Sequence, residues 1–128
     1  VNILIVEDDH AQAKSLSMGL RSEGFCVFQA HTANEALKVL DSEPIDVAIV
    51  DIMMPVVNGL ELGRVIRDSY PEVKLVLISA YHISRRQVLL SNTNAVAFVP
   101  KPYNFECLVE FLKNKISFVD SSDPVVVE

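Results

Sequence analysis

Five short apolar runs, rich in β-branched residues and set apart by segments of helical periodicity, constrain this chain more than any other feature. They are VNILIV (1–6), FCVFQA (25–30), DVAIV (46–50), KLVLIS (74–79) and AVAFV (95–99). Four are nearly continuous rather than alternating, the pattern of strands covered on both faces in a parallel sheet. The second run is the most mixed and is expected at an edge. Strand–helix alternation repeated five times gives a doubly wound α/β fold with right-handed crossovers.

The intervening segments carry helical stripes. Ala13, Leu16, Leu20 and Ala11 share one in 10–23, Ala36, Leu37 and Leu40 another in 33–42, and Leu62, Val65 and Ile66 a third in 60–69. The segment 82–91 has a short, irregular stripe, whereas in 104–117 Phe105, Leu108, Val109, Leu112 and Ile116 recur at clear helical spacing. Asp9 with Gln12 and Thr32 with Glu35 have the spacing of capping boxes, Asn104 is placed to cap the last helix, and Gly24 sits where the first should stop. The final FVDSSDPVVVE reads as a linker or C-terminal tail (118–128) after a single domain over 1–117.

At 128 residues the chain is long enough for one self-supporting core. Half of it is apolar and 22% charged, which excludes a disordered chain. A net charge of −6 argues against a nucleic-acid surface, which needs clustered Lys and Arg. Cys26 and Cys107 form no CxxC pair and are expected to be buried or half-buried hydrophobes in a reducing compartment. No segment is apolar and long enough to span a bilayer, and none resembles a signal peptide. A cytoplasmic domain is expected. The chain opens on Val1 without an initiator methionine, as expected of a piece trimmed from a longer product.

In open α/β sheets, ligands gather at the carboxyl ends of the strands. The polar residues at those ends are Glu7, Asp8 and Asp9 after the first run, Asp51 after the third, Ser79 ending the fourth and Lys101 after the fifth. If the first and third strands are neighbours, three or more carboxylates crowd one pocket, where some must take up protons or a cation must neutralise them. A hard divalent cation such as Mg²⁺ suits a few carboxylates plus waters. With the Lys101 ammonium and the Ser79 hydroxyl added, the set suits a phosphoryl group held beside a carboxylate. Taken singly, Asp51 would be read as a turn cap and Asp9 as the N-cap of the first helix. His10 is expected to face solvent from that helix, and His31 and His82 to lie at the surface without partners.

Several linked motifs resemble the response-regulator receiver domains of two-component signalling. They are ILIVEDD (3–9), GFCVFQAHTANEAL (24–37), DIMMPVVNGLEL (51–62), LISA (77–80) and FVPKPY (98–103), in order and at the family's spacing over about residues 1–117. The resemblance implies a flavodoxin-like, five-stranded parallel sheet in the order 2-1-3-4-5 with helices on both faces. It implies Asp51 as phosphoacceptor, Asp8 as a direct Mg²⁺ ligand, Glu7 acting through bound water, and the backbone carbonyl of Met53 in the metal shell. Ser79 matches the hydroxyl that binds the phosphoryl oxygens, Lys101 the ammonium that contacts them, and Phe98 the aromatic switch. Pro55 and Gly59 would shape the loop after the acceptor, and the Lys101–Pro102 peptide would be cis.

The family departs from this chain in places. Phe98 lacks the hydroxyl of the Tyr common at the switch, Ser79 stands where Thr is frequent, and Asn94 replaces a Gly ahead of the fifth strand. The last helix lacks the basic run common beside winged-helix DNA-binding outputs. The implied function is a phosphorylation-activated switch fed by a sensor histidine kinase or a histidine phosphotransfer protein, with Ser79 and Phe98 relaying the state. The family allows an output domain after residue 117 and a phosphorylation-dependent homodimer, with no direct nucleic-acid or membrane contact by this domain. Such a domain catalyses only its own phosphorylation and dephosphorylation. Among other classes, a nicotinamide or flavin dehydrogenase needs glycines where VEDDH stands. A Mg²⁺-dependent aspartyl-phosphate phosphatase of the haloacid dehalogenase type carries a second Asp at the position of Met53. A phosphorylation-independent binding receiver is disfavoured by the intact acceptor set.

Overall fold

The structure, a computed structural model, describes all 128 residues. The chain runs β1 (Asn2–Val6), α1 (His10–Ser22), β2 (Cys26–Ala30), α2 (Ala33–Ser42), β3 (Val47–Asp51), α3 (Gly59–Ser69), β4 (Lys74–Ser79), α4 (Arg85–Leu90), β5 (Ala97–Pro100), α5 (Phe105–Glu110) and β6 (Val125–Val126). The strands form one parallel sheet in the order β2-β1-β3-β4-β5-β6, with β2 at an edge as its mixed sequence implies.

The sheet has six strands where five were expected. Val125 and Val126 pair in parallel with Ala97 and Phe98, so α5 acts as one more crossover, between β5 and β6. The Ser, Asp and Pro residues before them dominate the composition and hide a run of three valines, which gains order only from the edge of β5. Val127 is buried there.

Each face of the sheet carries its own core. One gathers Ile3, Ile5 and Ile49 with Leu16 and Leu20 of α1 and Leu108 and Leu112 of the last helical segment. The other gathers Leu4, Val50 and Leu77 with Leu40, Leu62, Ile66 and Phe98. The alternation within each strand sends odd and even residues to opposite faces. Two stripe positions differ from expectation, since Ala11 and Val65 are exposed. Gly63 takes the inward place on α3, where a Cβ would lie 3.0 Å from both Leu75 and Thr93 side-chain atoms. The last helix relaxes into a π turn over Phe111–Lys115, and that wider winding brings Phe111 into the core beside Leu112.

The punctuation holds with one exchange. Asp9, Thr32 and Asn104 each accept the backbone N–H three residues on. Gln12 and Glu35 do not return the bond to the cap, for Gln12 bonds the Asp9 side chain and Glu35 the N–H of His31. The full reciprocal box lies at α4 instead, between Ser84 and Gln87. Gly24, at φ +96, ends α1, and Asn94, at φ +58, makes the left-handed turn ahead of β5. Both cysteines are exposed, not buried: Cys26 lies at the start of the edge strand and Cys107 on the outer side of α5.

Candidate functional site

The strand registers bring the ends of β1, β3, β4 and β5 to one rim. Val6 lies opposite Val50, Asp51 opposite Ile78, and Ser79 opposite Pro100, so the residues that follow converge. Asp51 is 4% exposed and Glu7 6%, unusual for carboxylates. Asp8 is exposed beside them, and oxygens of all three lie within 4.8 Å of one another.

Lys101 reaches in from the far side, across the cis Lys101–Pro102 peptide. Its ammonium donates to Glu7 Oε1 at 2.6 Å, to Gln12 Oε1 at 2.7 Å and to Asp51 Oδ2 at 2.8 Å. An ammonium has three protons, and each has an acceptor here. The second Asp51 oxygen, Oδ1, accepts the Met53 N–H at 2.8 Å. Below it the chain doubles back so closely that a Cβ on Gly59 would stand 2.2 Å from the Asp51 carbonyl oxygen. Only glycine permits that approach.

The charges do not balance. One ammonium faces three carboxylates, leaving a formal surplus of two negative charges that a divalent cation would cancel. Burial pushes the Glu7 carboxyl up to about 7, its neighbour Asp51 adds to the rise, and Lys101 only partly opposes it. Burial alone would lower the Lys101 ammonium, but its hydrogen bonds to Asp51 and Glu7 outweigh that and hold it protonated above the usual lysine range. The donor set, oxygen-only and close-spaced, fits a hard cation.

Ser79 is fully buried on the same rim; its carbonyl accepts the Lys101 N–H at 2.8 Å, while its hydroxyl accepts the Tyr81 N–H at 3.0 Å. Phe98 lies off the rim, 1% exposed in the core on the α3 and α4 side. The Met53 side chain is exposed, and Met54 is buried in its place. His10 faces solvent as expected, but His31 has partners. Its ring stacks on His10 at 3.7 Å, and its Nδ1 lies 3.0 Å from the Glu7 carbonyl oxygen. Gln12 was legible only as a helix-start residue. The signal for His31 lies in the sheet register, because Val6 opposite Ala30 sets residue 7 beside residue 31.

The geometry has close counterparts. A family profile described as the response regulator receiver domain matches residues 3–113. Response regulator MprA of Mycobacterium ulcerans is 33% identical over 109 residues, which is 85% of this chain and 47% of that protein. The chain thus spans about half the length of the curated relatives it matches. Among solved structures, a CheY-like response regulator receiver domain protein from Methanospirillum hungatei superimposes with a TM-score of 0.82 at 34% identity, covering 91% of this chain and 93% of that one. Response regulator TrrA from Thermotoga maritima, in complex with Mg²⁺-BeF, superimposes with a TM-score of 0.78 at 35% identity, covering 89% and 97%. With a profile that spans most of its length and a relative 33% identical over 85% of it, the chain belongs to the response regulator receiver domain family.

Proposed function

We propose that this domain is a phosphorylation switch in which Asp51 accepts a phosphoryl group from a phosphohistidine, and that it works in the cytoplasm with a sensor histidine kinase or a histidine phosphotransfer protein. The observation that carries the reading is the Lys101 ammonium, 2.8 Å from a buried Asp51 carboxylate beside two further acids. In the transfer, an Asp51 oxygen forms the new bond to phosphorus as the bond to the donor imidazole breaks. The imidazole leaves with the electron pair of that bond and takes up a proton. Lys101 stabilises charge on the transferring oxygens, and the Met53 N–H orients the carboxylate. The Ser79 hydroxyl, turned from Tyr81, would donate to a phosphoryl oxygen, and Phe98 would carry the change onward.

Asp8 and Asp51, with the Met53 carbonyl and Glu7 through water, would hold Mg²⁺. Its contribution when bound is to neutralise the surplus negative charge and let an anionic phosphoryl group approach. The support for this is the formal imbalance of two charges and the Mg²⁺-BeF bound by the Thermotoga relative. An output domain elsewhere in the protein, or a homodimer formed on phosphorylation, would read the state. Acetyl phosphate with Mg²⁺ should add one phosphoryl group to the domain, and Asp51→Asn should abolish the labelling. Undiminished labelling of that variant would sink the assignment.

A further inference from the structure

β6 is short, yet it touches both elements on which a switch of this kind depends. Val126 lies opposite Phe98, and the Val127 N–H donates to the Phe98 carbonyl at 2.9 Å. The Val125 N–H donates to the Val96 carbonyl at 3.1 Å. A second tether comes from α4, whose first residue, Arg85, donates from Nε to the Pro124 carbonyl at 2.9 Å and pairs with Asp123. The helix that supplies Arg85 begins just beyond the loop anchored by Ser79 Oγ and the Tyr81 N–H. A two-residue strand and an exposed ion pair are weak enough to open without unfolding the sheet.

We propose that residues 123–128 form a latch, and that its docking across β5 and α4 opposes phosphorylation of Asp51. The inference rests on the reading of Asp51 and Ser79 given above. Turning the Ser79 hydroxyl toward a phosphoryl group at Asp51 takes it from the Tyr81 N–H and frees the loop of residues 80–84. Arg85 then shifts relative to β5. The latch needs both at once, because Pro124 and Asp123 are held by α4 while Val125 and Val127 are held by β5. Its release uncovers the outer edge of β5. Linkage makes the effect reciprocal: whatever opens the latch must raise the affinity of the site for a phosphoryl-like anion.

The test uses the whole 128-residue chain, with beryllofluoride and Mg²⁺ as the probe and fluorine NMR to report probe binding. Hydrogen exchange at the Val125 and Val127 amides should be slow without the probe and at least roughly fivefold faster with it, in line with ordinary coupling between sites. Arg85→Ala, which removes a side chain 58% exposed, should bind the probe at a concentration lower by a similar factor. Val127→Asp, which places a charge at a buried position, should do the same if it folds, and Arg85→Ala carries the test if it does not. If the probe binds and the two amides keep their protection, or if Arg85→Ala binds it no more tightly, the latch is overturned and the phosphoacceptor reading stands. Fast exchange of both amides before any probe is added also overturns it. If the unmodified chain neither binds the probe nor labels with acetyl phosphate, the phosphoacceptor reading falls and the latch falls with it.

Discussion

Two lysines cross to opposite rims of the sheet, and the difference between them separates what holds this fold from what the fold holds. Lys74, at the start of β4, donates to the carbonyls of Ile116 at 2.7 Å and Val119 at 3.3 Å. Those acceptors are neutral main-chain carbonyls where the last helix runs out. Its neighbours on that rim behave alike: Asp46 accepts the Asn2 N–H, and the Asn2 amide donates to the Pro44 carbonyl. Each of these three side chains bonds a main-chain group. Lys101 instead binds two buried carboxylates that stand at the ends of two different strands. A rim that buries charge in this way is the candidate site for chemistry.

The largest expected effect breaks the pair apart. Lys101→Met should slow acetyl phosphate labelling by roughly 10²–10³-fold, the usual cost of losing one group that stabilises a transition state. Lys74→Met should leave the labelling rate unchanged and lower stability by about 1–3 kcal/mol, measured by urea unfolding, because only hydrogen bonds from a charged donor are lost. Equal effects of the two variants on labelling would erase the distinction. Next in size is Asp8→Ala, which should weaken Mg²⁺ binding by at least ~10–100-fold and depress labelling in step, given that even indirect partners of a metal cost that much. An unchanged Mg²⁺ titration in that variant would move the ion elsewhere.

A smaller effect concerns the lifetime of the phosphorylated state. On the proposed reading, Met53 and Tyr81, two residues beyond Asp51 and Ser79, flank the approach of water, and both side chains are exposed, one apolar and the other large. Neither carries a carboxylate or amide that could orient a water for attack, so the phosphorylated domain should decay slowly. Met53→Asn combined with Tyr81→Ala should speed the loss of phosphate severalfold, followed in excess Mg²⁺ after the donor is removed. Decay in the unmodified domain faster than in the double variant would show that the two side chains do not obstruct water.

The smallest effect lies in the pH dependence of stability without Mg²⁺. Glu7 is raised from 4.5 to about 7, so the native state holds its proton more tightly than the unfolded chain does. That contribution is complete below about pH 4.5 and is lost as pH rises through about 7. One pKa unit corresponds to ~1.4 kcal/mol, so melting temperature should fall by a few degrees across that window. Glu7→Gln should flatten the profile. The opposite slope would mean that Lys101, rather than burial and Asp51, governs Glu7.

Much of this was legible in the sequence because it depends on local pattern. Continuous β-branched runs gave five strands, and the acids, serine and lysine that follow them fall on one rim because parallel strands all end there. The parts that escaped depend on register and on distant chain. Val125–Val127 pair only because β5 presents an edge, and the preceding Asp-Pro sequence reads as a break; Pro at the start of an edge strand was the available signal. His31 gains its partners from the pairing of β1 with β2. Cys26 lies in an apolar run, yet it is exposed at the start of the edge strand. Gln12 stands at the helical position from which it donates to the capping Asp9, and nothing local says that the same side chain also reaches Lys101.

That last contact has a stoichiometric consequence. The ammonium of Lys101 is saturated, with three protons and three acceptors, so a fourth acceptor can enter only by substitution. The Glu7 and Asp51 carboxyl groups are buried, whereas the Gln12 amide is neutral and exposed, which makes its oxygen the most replaceable of the three. On the proposed reading, an arriving phosphoryl oxygen trades places with an amide, anion for dipole. Gln12 is then a placeholder that keeps the lysine aimed while the seat is empty.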